Sequence, residues 1–442
     1  MADAEQVKRE KAEKAVQAKR EKEERRRQWE LENKDKLEAA AKKKKPTKAE
    51  RREIQGRPKG ETGRGAAPRP RNDGGVLSLF SHLDGPRVAR RSAELGVSFG
   101  EGSKMHPAIV SLGLKYAEGL VAGANSRVIA MLNAFKEVIH DYETPANTSI
   151  ARDLDRHLKP MIQFLIQCRP HSITMGNAIK HVRHSITLLP PDISETDAKA
   201  TLHETIDAYI NANILLAQEE IVRHASGKIA EGDTILTFGR ASAVEKVLLE
   251  ARERGTFYKV VVVSCWPQNE GQQLVETLAA AGVECSFIAI TSLSYMMGSV
   301  DKVMLGASAL FSNGAVLGRC GTALVAMMAK TFNKPVLVCA ETHKFSDRVQ
   351  LDSICSNELG DPDRLVSCVC TPSSSATETG ATKDGANSSC LCNWRSTSGL
   401  ELLNLTYDLT PPDHVSLVVT EFGLLPASSV PAIIREKDSA AA

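Results

Sequence analysis

From residue 106 onward the chain alternates apolar and polar positions at the helical period. In His106–Ala117, Ser126–Tyr142, Ile150–Gln167 and Ala198–His224, apolar residues recur at spacings of three and four, the stripe of an amphipathic helix. Asn125-Ser126 offers a cap for the second of these, Pro145 ends the segment after it, and Pro190-Pro191 breaks the chain before the last. Runs of β-branched residues are scarce here, so residues 76–225 read as a helical bundle domain. After Gly227 the period changes. Thr234–Phe238, Lys259–Ser264, Cys285–Ile290, Val303–Leu305, Pro335–Cys339 and Ser416–Thr420 are short, nearly continuous apolar runs, with helical segments Ala243–Arg254 and Gln272–Ala281 between the earlier ones. Buried strands alternating with helices predict a parallel sheet covered on both faces. The fold class is therefore α/β: a helical bundle followed, over residues 226–442, by a Rossmann-like, doubly wound parallel sheet domain.

Within that second domain, residues 297–345 form a strand, a small-residue loop, a helix and a strand. Gly306-Ala307-Ser308 ends the strand, Ser312-Asn313-Gly314 makes the loop, and Gly321-Thr322 leads into a helix at Ala323–Thr331. Such βαβ units open a crevice at the carboxyl ends of their strands. The groups this block offers to the crevice are mainly Ser308 and Arg319, a poor set for acid–base or nucleophilic work. No G-x-G-x-x-G run is present. The nearest match, Gly239-Arg240-Ala241-Ser242, has one glycine, so no dinucleotide cofactor is expected.

Charge adds a third region. Residues 1–71 hold 24 Lys/Arg and 14 Asp/Glu, whereas the remainder holds 32 and 40, so a basic tail precedes a mildly acidic body. The tail has few apolar residues beyond Trp29, Leu31 and Leu37, and residues 1–75 read as a disordered tail and linker. A sequence-blind electrostatic contact with nucleic acid is the alternative to a merely solvated tail. No stretch approaches the ~20 continuous apolar residues of a membrane span. The charged start does not resemble a signal peptide, and the chain is expected in the cytosol.

Most of the ten cysteines lie in apolar runs and read as reduced core residues. Cys368-x-Cys370 and Cys390-x-Cys392 flank a Ser/Thr-rich loop over residues 371–389. Their one-residue spacers differ from the two-residue knuckle of zinc sites, so a hairpin with small buried thiols is expected and no metal is assigned.

Five runs carry a family resemblance: GRASAVEKVLLEARERG, CSFIAITSLSYMM, VDKVMLGASALFSNGAVLGRCGTALVAMMAK, KPVLVCAETHKF and NLTYDLTPPDHVSLVVTEFGLLPASSVP. They resemble the regulatory α/β/δ subunits of eukaryotic translation initiation factor 2B, with the terminal run and basic tail most similar to the δ branch. The resemblance implies a non-enzymatic regulatory and scaffold subunit of the guanine nucleotide exchange complex acting on initiation factor 2. Its partners would be the α, β, γ and ε subunits of factor 2B, with the catalytic domain on another subunit. The other partner would be factor 2 itself, sensed through phosphorylation of that factor's α subunit.

Matching motifs then give candidate residues. Arg152 in SIARDL and Leu216 in ANILLAQ correspond to the surface facing the phosphorylated partner, although Ala212 stands where the family often has an acid. Leu79-Phe80 in VLSLFSHL matches the run bordering the central subunit interface. The alternatives are a solvated Arg152, a core Leu216, and a hydrophobic staple at Leu79-Phe80. The family shares its fold with sugar-phosphate isomerases, and the alternative function is a sugar-phosphate isomerase or binder. Three departures oppose it: Gly239 stands in place of a cysteine, Ser308 in place of an aspartate, and Trp266 in place of an arginine. With Arg240 and Arg319, Gly239 and Ser308 outline a degenerate sugar-phosphate crevice. Apolar segments at residues 293–297, 402–409 and 424–434 fit oligomer interfaces or core edges.

Overall fold

The computed structural model describes residues 77–83, 105–145, 148–190, 192–366, 391 and 394–441. The basic tail, the linker, the Ser/Thr-rich loop and Cys368, Cys370, Cys390 and Cys392 lie outside the described residues. Five helices, α1 (Pro107–Ala117), α2 (Ala124–Asp141), α3 (Ile150–Cys168), α4 (Ile173–Thr187) and α5 (Glu195–Ile210), bury their apolar stripes in one cluster. Its centre holds Ile109, Met131, Leu132, Phe135, Leu154, Leu158 and Leu202, each 1% exposed or less. Residues α4 and its capping Ser172, whose hydroxyl accepts from Met175 N, escape the periodicity reading.

The expected cap of α2 is not formed. Gly123 occupies the cap position, and the Asn125 side chain instead donates to Glu341 across the molecule. The long helix expected up to His224 is also interrupted. After α5 the backbone makes a π-turn, Asn211–Leu216, before resuming as α6 (Ala217–Ser226).

Six strands follow the apolar runs closely, β1 (Thr234–Phe238), β2 (Lys259–Val263), β3 (Glu284–Ile288), β4 (Lys302–Gly306), β7 (Val336–Cys339) and β10 (Leu417–Thr420), and a seventh, β11 (Gly423–Leu425), is added at the edge. Their order is β11-β10-β7-β4-β1-β2-β3, parallel except for the antiparallel edge strand β11. Alternate side chains supply two cores. Leu236, Val261, Val303, Leu305 and Val338 face one side; Ile235, Val260, Met304 and Leu337 face the other, where Ile221 and Ala225 of α6 also pack. Helices α7 (Ser242–Glu253) and α8 (Glu270–Ala280) follow β1 and β2, and α9 (Thr322–Thr331) precedes β7.

A second sheet was not expected. The loop read at Ser312-Asn313-Gly314 is the turn of a hairpin, between β5 (Ala309–Phe311) and β6 (Val316–Arg319). It continues into β8 (Phe345–Ser346) and β9 (Tyr407–Thr410) in the order β8-β5-β6-β9. Arg319 therefore projects from a strand end. The last helix, α10 (Val430–Ala441), buries Val430 and Ile433 in the main core.

Helices and sheet are joined by a buried charge cluster. Arg127 of α2, 1% exposed, donates to the carbonyl of Pro170 (2.5 Å) and lies over the Tyr116 ring. Glu358, from the sheet half, accepts from Arg169 (2.6 Å) and lies 3.7 Å from Arg127.

Candidate functional site: a neutralised crevice at the switch point

In the sheet order, β1 and β4 are neighbours whose following connections run to opposite sides, which puts a crevice at their carboxyl ends. This crevice, of about 490 Å³, is lined by Arg240, Ser308 and Arg319 together with Glu270, Lys344 and Tyr407. Gly239 lies at its edge. Its backbone has φ of 61°, and a Cβ there would lie 3.2 Å from Cys265 Cβ. Gly306 lies so close to Ala241 that an added Cβ would come within 2.3 Å of the alanine methyl. Three of the four crevice residues singled out in the sequence, Arg240, Ser308 and Arg319, line it, and Gly239 adjoins the lining residues Phe238 and Arg240.

Their chemistry is nearly cancelled. Arg319 donates to Glu270 (2.6 Å) and Arg240 forms a two-nitrogen pair with Glu245 (2.7 and 3.1 Å). Lys344 pairs with the fully buried Glu341 (2.6 Å). Burial opposes ionisation of Glu341, but the Lys344 ammonium beside it holds its carboxyl below the usual carboxylate range. Each of these three cations therefore has an internal counter-ion.

No nucleophile is poised. The Ser308 hydroxyl has no hydrogen bond to a base among the described residues, while its backbone N–H donates to Leu317 O. Burial pushes two thiols here, Cys339 in the crevice lining and Cys265 beside Gly239, up to about 12, so both stay protonated at neutral pH. Asp408, absent from the sequence reading, caps α9 by accepting from Gly321 N (2.7 Å) and Ala323 N (2.9 Å). Burial raises its carboxyl to about 6 despite those two amides.

The other candidates lie away from the crevice. Arg152 is exposed on the first turn of α3 and has no ion pair among the described residues, whereas Asp153 and Asp155 on the same helix are engaged by Tyr142 and Arg183. Leu216 is 56% exposed at the end of the π-turn, so it is not a core leucine. Leu79 and Phe80 share a short 3-10 turn but separate in environment: Leu79 is 58% exposed and Phe80 7%. Of the apolar segments, residues 402–409 and 424–434 are largely covered by the chain itself, whereas Tyr295 stands 88% exposed.

A helical half followed by a doubly wound parallel sheet, with a crevice at its topological switch point, defines an α/β class of fold. The chain belongs to the initiation factor 2 subunit family, which matches residues 120–427. It is 41% identical over 360 residues to translation initiation factor eIF2B subunit delta of Schizosaccharomyces pombe, covering 81% of this chain and 73% of that one. The Dictyostelium discoideum protein of the same name is 42% identical over 364 residues, and the chain spans 56% of its length. A solved tetrameric eIF2B-beta2-delta2 complex from C. thermophilum contains a chain with TM-score 0.66 and 31% identity; 79% of this chain and 99% of that one are covered. More distant is ribose 1,5-bisphosphate isomerase of Thermococcus kodakarensis, 28% identical over 301 residues, covering 66% of this chain and 85% of the isomerase. Among the described residues no helix is long and apolar enough to cross a membrane.

Proposed function

We propose that this chain is a non-catalytic regulatory and scaffold subunit of the exchange complex acting on translation initiation factor 2, working in the cytosol. On this reading it assembles with the α, β, γ and ε subunits of factor 2B, while nucleotide exchange is carried out by another subunit. The carrying observation is the crevice. Its cations already have partners, and on the family resemblance it has Gly239 and Ser308 where the isomerases need thiolate and carboxylate. The competing reading, an isomerase or sugar-phosphate binder, draws on the isomerase relatives. It predicts turnover or binding of a ribose phosphate by the purified chain, and absence of both would remove it.

The helical half reads the phosphorylated α subunit of factor 2 through a face that includes Arg152 and Leu216, and Leu79 borders the central subunit interface with Phe80 anchoring its turn. Support comes from exposure: Arg152 is a cation with no ion pair among the described residues, and Leu216 is an apolar side chain in solvent. A phosphoserine adds up to about two negative charges and favours arginine partners or rearranged helices. In the assembled complex, Arg152→Ala is expected to weaken binding of phosphorylated factor 2 by about ten- to a hundredfold, the range for a charge-assisted hydrogen bond. Binding of the unphosphorylated form and the melting temperature should change little, because an exposed side chain is being removed. Equal loss for both forms would remove the sensing role of Arg152.

A further inference from the structure

A π-turn interrupts the i to i+4 ladder of a helix, and carbonyls displaced from it must find other donors if buried. At Asn211–Leu216 two side chains donate to backbone carbonyls. Asn213 Nδ2 donates back to Tyr209 O (3.4 Å), and His343 Nδ1 donates to Asn213 O (2.9 Å). His343 comes from the sheet half, in the turn between β7 and β8, and is only 3% exposed. Because a carbonyl only accepts, Nδ1 must carry the hydrogen. Nε2 is buried with no partner among the described residues, consistent with the neutral ring.

The turn bearing this ring is fixed on every side. Glu341 pairs with Lys344 and accepts from Asn125. Thr342 N donates to Glu421 (3.0 Å), and Asn177 Nδ2 donates to the carbonyls of His343 and Phe345 (both 2.9 Å). A donor held this firmly can impose geometry on the helix it touches, rather than follow it.

We propose that His343 is a positioning residue for partner recognition: its Nδ1–H holds the Asn213 carbonyl, fixes the π-turn, and so presents Leu215 and Leu216 to the phosphorylated factor. The inference rests on the assignment of Leu216 to the partner-reading face. Leu215 and Leu216 are 41% and 56% exposed, whereas Ile214 and Ala217 beside them are buried, so the wider turn decides which leucines reach solvent. A histidine serving only as packing would depend on ring volume. A positioning histidine depends on the donor at the Nδ1 position.

Two variants separate these roles in the complex assembled with its sister subunits. His343→Phe keeps the ring and removes the donor; His343→Asn removes ring volume but places an amide N–H near the Nδ1 position. Binding of phosphorylated and unphosphorylated factor 2 is measured alongside amide hydrogen exchange of residues 209–217. The expected result is that His343→Phe speeds exchange across the π-turn and weakens binding of the phosphorylated form about five- to twentyfold, the scale of one unsatisfied buried carbonyl. His343→Asn restores both readouts to near the wild-type values. Wild-type binding by His343→Phe, or a greater loss in His343→Asn than in His343→Phe, overturns the proposal. If His343→Phe fails to assemble, His343→Asn is compared with His343→Gln, whose amide falls near Nε2: a defect confined to Gln supports the role, and equal behaviour overturns it. A Leu216→Ala control separates the two layers. If it leaves binding intact, the face itself is wrongly assigned and the proposal falls with it. If it weakens binding while His343→Phe does not, the face stands and His343 has no positioning role.

Discussion

Burial holds the His343 ring uncharged, bringing its pKa down from 6.5 to about 4; Glu341 favours the proton, while Lys344 and Lys437 oppose it. Unfolding below pH 6.5 is therefore accompanied by proton uptake at this ring. Its contribution to stability is complete above pH 6.5 and is lost as pH falls toward 4, at no more than about 1.4 kcal/mol per pH unit. Asp408 works in the opposite direction. Its carboxyl, raised from 3.8 to about 6 by burial, binds a proton in the folded chain first, so its contribution grows as pH falls through that range. The two cancel in part, and the histidine is isolated by comparison. On acidification from pH 7.5 to 5, the melting temperature of His343→Asn is expected to fall less than that of the wild type; parallel curves would refute the assignment. Neither residue's role was legible in the sequence. His343 stands in the quoted run ETHKF, but nothing local announces that its partner lies 130 residues away, and Asp408 caps a helix start 87 residues earlier.

Among the elements, the β1–β4 contact leaves least room. Adding a methyl at Gly306 would force apart the two strand ends that form the crevice floor, because Ala241 already fills the space. Gly306→Ala is expected to cost about 1–3 kcal/mol, the usual penalty of overpacking, read as a lower midpoint in urea unfolding. An unchanged midpoint would mean that the βα turn shifts freely. Six of the seven strands of the main sheet were legible to within a residue or two, because burial leaves a nearly unbroken apolar run, as in Thr234–Phe238; the three-residue antiparallel edge strand β11 was not among the runs read. Helix α4 was not read, although Met175, Ala178, Val182 and Ile186 recur at helical spacing on its buried face. The second sheet was missed for a different reason. Its strands are two to four residues long, below the length at which alternation shows, and β6 pairs with β9 across the chain, Val316 with Thr410. The π-turn shows as a five-residue step in the buried face, from Tyr209 to Ile214, which the reading of a single helix over Ala198–His224 passed over.

For the molecule as a whole, Glu358 decides whether its helical and sheet halves behave as one. A single carboxylate is counter-ion to Arg169 and Arg127, both nearly excluded from water. Replacing one partner of such a buried group leaves charge unsatisfied and costs about 3–5 kcal/mol. Glu358→Gln is therefore expected to lower the thermal midpoint and to split a single calorimetric transition into two, with the halves melting separately; one unshifted transition would show that the other contacts between them, such as Asn125–Glu341 and Asn177–His343, suffice. The same arrangement constrains how these positions change over time. Loss of Glu358 strands two guanidinium groups at once, and loss of either arginine alone weakens the case for burying the acid. The three sites form a unit of inheritance: across related chains they are expected to covary, with apolar residues replacing all three together far more often than any one by itself.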